Sequence, residues 1–336
     1  MTDTVNLNAN TTTDLAYWIP EIWSKLVYEE AKAQMYWNRF SGPEGSGMPV
    51  IVKTELLTEP GDIIHISQVA NITGGVTGES VLRGNESKLT LAEVLVTPEW
   101  NRHAVAVTGK AKKQITQDFR MKATSALSYW LAKTMDTSMW TAARLTTSQG
   151  FESDTISVIY GGDAESVDGL DSSDTFGMEE IRKAAAVLEG NDIARVSVPG
   201  MPASEGYYLC FIHPYQAYSL KADDEWIENA RNAGVRGNDN QLFTGSIGEV
   251  DGVIVHVTTQ ASVADNANSP VIGTSRAVMV GREALCRGMN EDITWSEQEN
   301  DYGFEQGISV AAAFEDKVLS QAAIVQIATA AINPSA

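Results

Sequence analysis

The longest helical pattern in the sequence runs from Lys110 to Ser148 and contains no glycine or proline. Apolar residues recur along it at spacings of three and four, the period of one helix face. They are Ile115, Phe119, Ala123, Leu127, Trp130, Leu131, Met135, Met139, Ala142 and Leu145. A helix of this length would extend over about 55 Å, several times the mean for globular proteins. We therefore expect a long helix that serves as a backbone on which other elements pack.

The residues before this helix predict a long β-hairpin between Met48 and Gly109. Strand patterns occur at Val50 to Leu57 and Gly61 to Val69, and β-character returns from Val94 to Val107. The stretch between them is polar and rich in glycine, which is typical of a flexible tip. An extended segment of this kind inside a compact domain is commonly functional.

After the long helix, short helical and strand patterns alternate. We expect helices at Met178 to Glu189 and Tyr215 to Arg231, and the apolar run Gln321 to Ile332 is interpreted as a buried strand or helix. Further strands are predicted at Gly206 to Pro214, Ser246 to Thr259, Ala277 to Leu285 and Asp301 to Val318. Strands outnumber the strand–helix–strand units of a doubly wound sheet, so the sequence predicts an α+β fold.

The charge of the chain limits its function. Its 336 residues correspond to about two domains or one large one, and 44 acidic residues against 24 lysines and arginines give a net charge of −20. Because binding to phosphate backbones needs clustered positive charge, tight nucleic-acid binding is not expected to be the main function. Neither a signal peptide nor a membrane-spanning run is recognisable, which favours synthesis in the cytoplasm.

Motifs for catalysis, metals and cofactors are missing from the sequence. No GxGxxG follows a strand, no GxSxG occurs, and Gly109-Lys110 lacks the rest of a phosphate-binding loop. Cys210 and Cys286 are expected to be free thiols. Of the scattered histidines, His213 before Pro214 is expected to cap a helix. We therefore expect no catalytic residue, no metal ligand and no cofactor, although a Ser-His-Asp triad could not be recognised from sequence alone.

Basic residues cluster once, around the start of the long helix. The acidic stretches Gln149 to Glu180 and Met289 to Asp316 supply the opposite charge. One interpretation is a solvated helix face; the other is ion pairing with an acidic partner surface, including a second copy of this chain. The cluster consists of Arg102, Lys110, Lys112, Lys113, Arg120 and Lys122, with Asp118 as its one acid.

The N-terminal segment is unusually aromatic. Its first 14 residues are polar, and the apolar positions from Glu21 to Phe40 fit one helix face loosely. Two interpretations stand open: a helix packed on a core, or an arm that docks on a neighbouring subunit, where aromatic residues are enriched. The aromatic residues in question are Trp18, Trp23, Tyr28, Tyr36 and Trp37.

The order of these parts resembles the Hong Kong 97-type fold of tailed-bacteriophage major capsid proteins. The run VTGESVLRGNESKLTL resembles a family pattern G-(D/E)-x-x-L-x-G-N-E-x-x-L, which precedes an R-H-A-V strand. In this sequence the first pattern is carried by Gly78, Glu79, Leu82, Gly84, Asn85, Glu86 and Leu89, and the strand by Arg102, His103, Ala104 and Val105. Later matches to the family are Leu127, Trp130 and Asp136, then Gly248 and Gly252, then Gly281 and Ala284.

The resemblance implies a protein of the virion that forms hexamers and pentamers of an icosahedral shell enclosing double-stranded DNA. It implies an N-terminal arm (1–47), an extended hairpin or E-loop (48–109), and a peripheral domain with the spine helix (110–174). An axial domain (175–291) and return strands to the peripheral domain (292–336) follow. Separate scaffolding and portal proteins are the expected partners, without sequence-specific DNA binding, and no Lys-Asn cross-link is expected at Lys53 or Lys88.

Residues at subunit contacts are predicted in the arm, the hairpin and the basic cluster. They are Trp18, Trp23, Tyr36, Trp37, Gly78, Leu82, Arg83, Asn85, Glu86, Arg102, Lys112 and Lys113. The alternatives are another structural virion protein, such as a tail-tube or decoration protein, or an enzyme. A tail-tube or decoration protein would lack the long helix.

Overall fold

The computed structural model describes the chain from residue 35 to residue 331 with gaps. The described ranges are 35–57, 61–69, 75–78, 81, 83, 85–87, 89, 91–114, 119–144, 156–197, 206–232, 248–266 and 269–331. Within them two larger sheets and one hairpin are formed.

The first is a five-stranded sheet built on a long antiparallel hairpin. Strands β12 (Leu285–Asn300) and β13 (Glu305–Val318) form this hairpin, and β5 (Glu99–Thr108) pairs antiparallel with β13 at one edge. On the other side, β2 (Val50–Lys53) runs parallel to β12, and β1 (Ser41–Gly42) pairs with β2.

The predicted long helix lies against this sheet. Helix α1 (Gly109–Gln114) follows β5 directly, and α2 (Phe119–Arg144) extends for 26 residues. Leu127, Leu131 and Met135 of α2 are buried against the sheet residues Trp295 and Val310. The 3-4 apolar spacing is therefore confirmed over α2, while residues 115–118 and 145–148 lie outside the described part of the chain.

The second sheet contains seven strands in the order β6-β14-β11-β7-β9-β8, with β10 paired to β11. Its parallel pairs are β14 with β6 and β7 with β9, and the other neighbours are antiparallel. The strands are β6 (Ser157–Tyr160), β7 (Tyr208–Ile212), β8 (Glu249–Val250), β9 (Val253–Val257), β10 (Ser262–Asn266), β11 (Ser269–Val280) and β14 (Ile324–Ala331).

Three helices complete the region of the seven-stranded sheet: α3 (Met178–Gly190), α4 (Pro214–Ala222) and α5 (Asp224–Asn232). They contribute Ile181, Leu220 and Trp226, in that order, to a core shared with the sheet. His213 caps α4, since its Nδ1 accepts the N–H of Tyr215 at 3.2 Å, and the predicted capping role is confirmed.

Two predicted elements are divided in the structure. The helix predicted at Tyr215 to Arg231 breaks at Asp223, whose carboxylate instead accepts the N–H of Met178 at 2.8 Å. The β-character of Val94 to Val107 divides at Thr97 and Pro98, because proline has no N–H for a sheet ladder. The first half becomes β4 (Leu91–Val96) and the second half β5.

The segment boundaries predicted from the sequence do not coincide with the boundaries of the two sheets. Strands β6 and β14 were expected in peripheral segments, yet both belong to the seven-stranded sheet together with β7, β9 and β11. The first residues of β12, expected in the axial segment, pair with β2 in the five-stranded sheet. For β14 the reason is burial, since all eight of its residues are buried and need cover on both faces.

An aromatic core joins the two sheets. Trp37 and Phe40, from a 3-10 helix at Trp37–Phe40, pack with Trp140 of α2 and Phe211 of β7. The Trp37 ring centroid lies 4.9 Å from that of Trp140 and 4.7 Å from that of Phe211. Contacts of this kind, tilted and edge-on, favour a fixed packing beyond simple burial.

Candidate assembly interface

Within the hairpin predicted between Met48 and Gly109, residues 64–69 and 91–96 form a two-stranded sheet of their own, whereas β2 and β5 belong to the five-stranded sheet. Strand β3 (Ile64–Val69) pairs antiparallel with β4, from Ile64 opposite Val96 to Val69 opposite Leu91. Alternate residues point to opposite faces of such a pair. One face of this hairpin can therefore pack on its own subunit, and the other face can be exposed to solvent or to another protein.

The inner face holds the hairpin on the five-stranded sheet. Ile64, Val94 and Val96 are buried against Cys286 of β12. The neighbouring Gly288 makes this approach feasible, because a Cβ at that position would lie only 2.7 Å from Cγ1 of Val96. A two-stranded sheet is marginally stable alone, so this contact anchors it.

The outer face exposes large apolar side chains. Leu91 is 66% and Leu95 46% exposed, and both stand on the same face of β4. Beyond the strands, Val81 and Leu89 are also exposed. A series of exposed apolar side chains along one protruding element is typical of a surface that another protein covers.

The hairpin tip carries several of the predicted contact residues. Arg83, Asn85 and Glu86 are exposed, and Nδ2 of Asn85 donates to the carbonyl of Val81 at 2.9 Å. Gly78 has a φ of +71°, a conformation that favours glycine. Leu82 lies outside the described residues. The structure leaves the described tip residues accessible, and their role in subunit contacts stays a prediction.

The described members of the predicted basic cluster include exposed residues and one that is paired within the subunit. Arg102, Lys110 and Lys113 are exposed, and the side chain of Lys112 is outside the described part. Arg120 instead forms an ion pair with Glu297 of β12. Glu297, which belongs to the acidic stretch Met289 to Asp316, is thus used within the subunit.

Tyr36 and Trp37 lie at the point where the described chain begins. Oδ2 of Asp136 in α2 accepts the N–H of Tyr36 at 2.8 Å, and Oδ1 accepts that of Trp37 at 3.2 Å. Burial raises the pKa of the Asp136 carboxyl and raises that of Tyr36 to about 12. Trp37 itself is 0% exposed, so for this residue the structure favours the core interpretation over a subunit contact. Trp18 and Trp23 lie outside the described residues.

A buried ion pair beside this point was missed in the sequence. Nε and Nη2 of Arg287 donate to the two carboxylate oxygens of Asp316 at 2.6 and 3.0 Å, and Nη2 also donates to the carbonyl of Met135 at 2.8 Å. Burial opposes the charge on Arg287, but Asp316 raises its pKa overall. The sequence contains only a weak signal: Arg287 follows apolar residues in ALCRG, and Asp316 lies within the charged stretch EDK.

Among the described residues, the histidines make separate local contacts. His65 pairs with Glu93 on the hairpin, His103 stacks on Trp130, and His256 packs on Phe211. Cys210 and Cys286 are free, and burial raises the pKa of each thiol to about 12. Among the described residues no group of three or more side chains could hold a metal ion. The described helices include none that is long and apolar enough to cross a membrane.

The sequence of this chain matches a known protein family. A family model described as phage capsid protein matches residues 19–316. The chain belongs to the phage capsid protein family. This capsid protein is 26% identical over 324 residues to the major capsid protein of Pseudomonas phage KPP25, with 86% of each chain covered.

Solved capsids share the fold of this capsid protein. The capsid of Ralstonia phage GP4 matches with a TM-score of 0.70 and 22% identity, covering 89% of this chain and 92% of that one. The cyanophage Pam1 capsid matches with a TM-score of 0.73 and 15% identity, covering 88% and 92%. The predicted α+β fold of Hong Kong 97 type is confirmed. As a capsid protein, the chain is a structural component of the virion and assembles into a capsid shell.

Proposed function

We propose that this protein is the major capsid protein of a tailed bacteriophage and that it forms hexamers and pentamers of an icosahedral head. The shell encloses double-stranded DNA. The observation that carries the proposal is the hairpin β3–β4, anchored on its own subunit by one face and exposing Leu91 and Leu95 on the other. It stands within a capsid fold that extends over most of the chain.

The elements take the roles that this architecture requires. The hairpin acts as the E-loop, lying over a neighbouring subunit, and α2 acts as the spine helix. The five-stranded sheet with α2 forms the peripheral domain. The seven-stranded sheet with α3, α4 and α5 forms the axial domain, including β6 and β14. This assignment follows the sheets, because strands paired in one sheet move as one unit.

Contacts between subunits are proposed at the hairpin tip and the basic cluster. Gly78, Arg83, Asn85 and Glu86 at the tip and Arg102 on β5 are accessible in the subunit. Lys112 and Lys113 precede the long helix. Each contact contributes little on its own, but a closed lattice engages many contacts at once.

The proposal extends to partners and location. With a net charge of −20, the shell would enclose DNA without gripping each phosphate. The protein would be made in the cytoplasm of the bacterial host, assemble with separate scaffolding and portal proteins, and need neither a cofactor nor catalytic chemistry. The two cysteines agree with this, since both are buried in cores.

Electron microscopy of the purified protein tests the proposal. The protein is expressed alone and with the genes adjacent to its own, and particles are measured by negative stain and light scattering. We expect shells, tubes or hexameric rings in at least the co-expressed sample. A strictly monodisperse monomer in both samples would contradict it.

A further inference from the structure

One face of α2 lies open beside the place where the described chain begins. This groove, which we call the α2 groove, runs along the helix from Ser125 to Arg144 and is bounded at one end by Thr259 and Gln260. Tyr129 is 61% exposed in it. At 1.5 Å per residue the groove is about 29 Å long, enough for several turns of a second helix or an extended strand.

The groove contains polar atoms that still lack partners. Nε1 of Trp140, Nε of Arg144 and Oε1 of Gln260 are buried, and none has a hydrogen-bond partner among the described residues. Trp140 is itself 1% exposed. Because buried polar groups in native proteins nearly always have partners, these atoms indicate that something else completes this face.

The contacts of residues 35–40 with α2 indicate which segment of the chain is nearest to the groove. Asp136, which lines the groove, accepts the N–H groups of Tyr36 and Trp37 and so fixes the chain there. Met35 packs in the cluster of Leu131 and Met135, whereas Phe40 packs in the cluster of Met139 and Ala143. Residues 35–40 therefore run in the same direction as α2. Traced backward from Phe40 to Met35, the described chain therefore heads toward the Tyr129 end of the groove.

We propose that the N-terminal segment of this chain, residues 15–34, docks in the α2 groove of its own subunit. Residues 31–34 stay within about 14 Å of Met35 even when fully extended, which places them near the groove by connectivity alone. The charges agree: residues 1–34 contain five acids and two lysines, while Lys133 and Arg144 face the groove with the single acid Asp136. Of the two interpretations of the aromatic segment, the geometry favours packing on its own subunit.

Disulfide trapping in the unassembled full-length subunit tests this docking. Tyr129→Cys is combined with Ala31→Cys or with Ala33→Cys. The matched control replaces Tyr129→Cys by Thr141→Cys, which is exposed on α2 but does not line the α2 groove. Because Tyr129 and Thr141 are exposed, these substitutions are expected to leave the fold intact. Cys210 and Cys286 are buried and do not compete.

We expect mild oxidation to give a bridged monomer that migrates faster on a non-reducing gel for at least one Tyr129→Cys pair. Alkylation of the single variant Tyr129→Cys is expected to be about tenfold slower than that of Thr141→Cys, because the docked segment must open first. Bridged dimers would overturn the proposal in favour of a second copy as occupant. Absence of any bridge, or equal bridging at Thr141→Cys, would overturn the docking itself. None of these outcomes depends on whether the protein forms shells.

Discussion

Protonation of His256 is expected to make the stability of the aromatic core depend on pH. Its ring stacks on Phe211 with centroids 5.7 Å apart and meets Phe40 edge-on at 5.0 Å. Burial and the charge of Arg39 lower the pKa of His256 below 6.5. The unfolded chain therefore takes up this proton at a higher pH than the folded chain, and stability is lost as the pH falls below about 6.5.

The pH dependence of unfolding tests this role of His256. We expect the unassembled subunit to lose thermal stability between pH 7.5 and pH 5, and the variant His256→Phe to lose less than the wild type. The control His103→Phe, at an exposed position of β5, is expected to behave as the wild type. An unchanged pH dependence in His256→Phe would show that other groups account for the acid sensitivity.

Removal of Arg287 is expected to be strongly destabilising. The variant Arg287→Met leaves the carboxylate of Asp316 buried without its partner, so the free energy of unfolding is expected to fall by about 3–5 kcal/mol. The double variant Arg287→Met with Asp316→Leu removes both members of the ion pair and is expected to recover much of this loss. Urea unfolding of the three proteins measures both effects. A double variant less stable than the single one would contradict the argument.

Among the elements, the hairpin β3–β4 depends on one glycine of the sheet beneath it. A Cβ at Gly288 would lie 2.7 Å from Val96 and 2.9 Å from Ile64, both in the hairpin. We expect Gly288→Ala to lift the hairpin and to cost about 1–3 kcal/mol, with faster hydrogen exchange at residues 64–69 and 91–96. In the control Gly307→Ala the new Cβ meets only ordinary contact at 3.6 Å. Equal exchange in both variants would show that the hairpin is held elsewhere.

Elements that follow from a local sequence pattern could be predicted, whereas features that depend on distant residues could not. Helix α2 follows from a 3-4 spacing and the hairpin strands from alternation with a glycine-rich tip, so both were found in the sequence. The sheet to which β14 belongs depends on its pairing with β11, whose register no local pattern contains. The break at Asp223 likewise depends on Met178, a residue 45 positions away.

The residues of the candidate interface were likewise predictable only where a local sequence pattern identifies them. The hairpin tip was predicted from a polar, glycine-rich run, whereas its contact residues came from the resemblance to the phage capsid family. Trp37 could not be placed, because an aromatic residue in an N-terminal helix pattern fits a core as well as an interface. Its position was decided by Trp140 and Phe211, which meet it only in the folded chain.

At the scale of the whole molecule, assembly is expected to depend on charge around the start of the long helix. Reversing Lys112 and Lys113 to glutamate is expected to weaken assembly, and more at low salt, because salt screens interactions between exposed charges. Reversing Lys183 and Lys221 changes the net charge equally and serves as the control. Light scattering at low and high salt measures the effect. Unchanged assembly at low salt would leave these lysines as a solvated face.

The hairpin tip provides the most direct test of how subunits join. Deleting residues 74–86 leaves residues 70–73 and 87–90 to connect Val69 with Leu91, the last pair of the β3–β4 register. Because the inner face of the hairpin is untouched, we expect a soluble subunit with nearly unchanged unfolding. Stable shells are expected to be lost, since the tip would no longer reach a neighbour. A glycine-serine segment of the original length, as control, separates lost contacts from lost length. Normal particles from the deletion, seen by electron microscopy, would show that the hairpin tip is not an assembly contact.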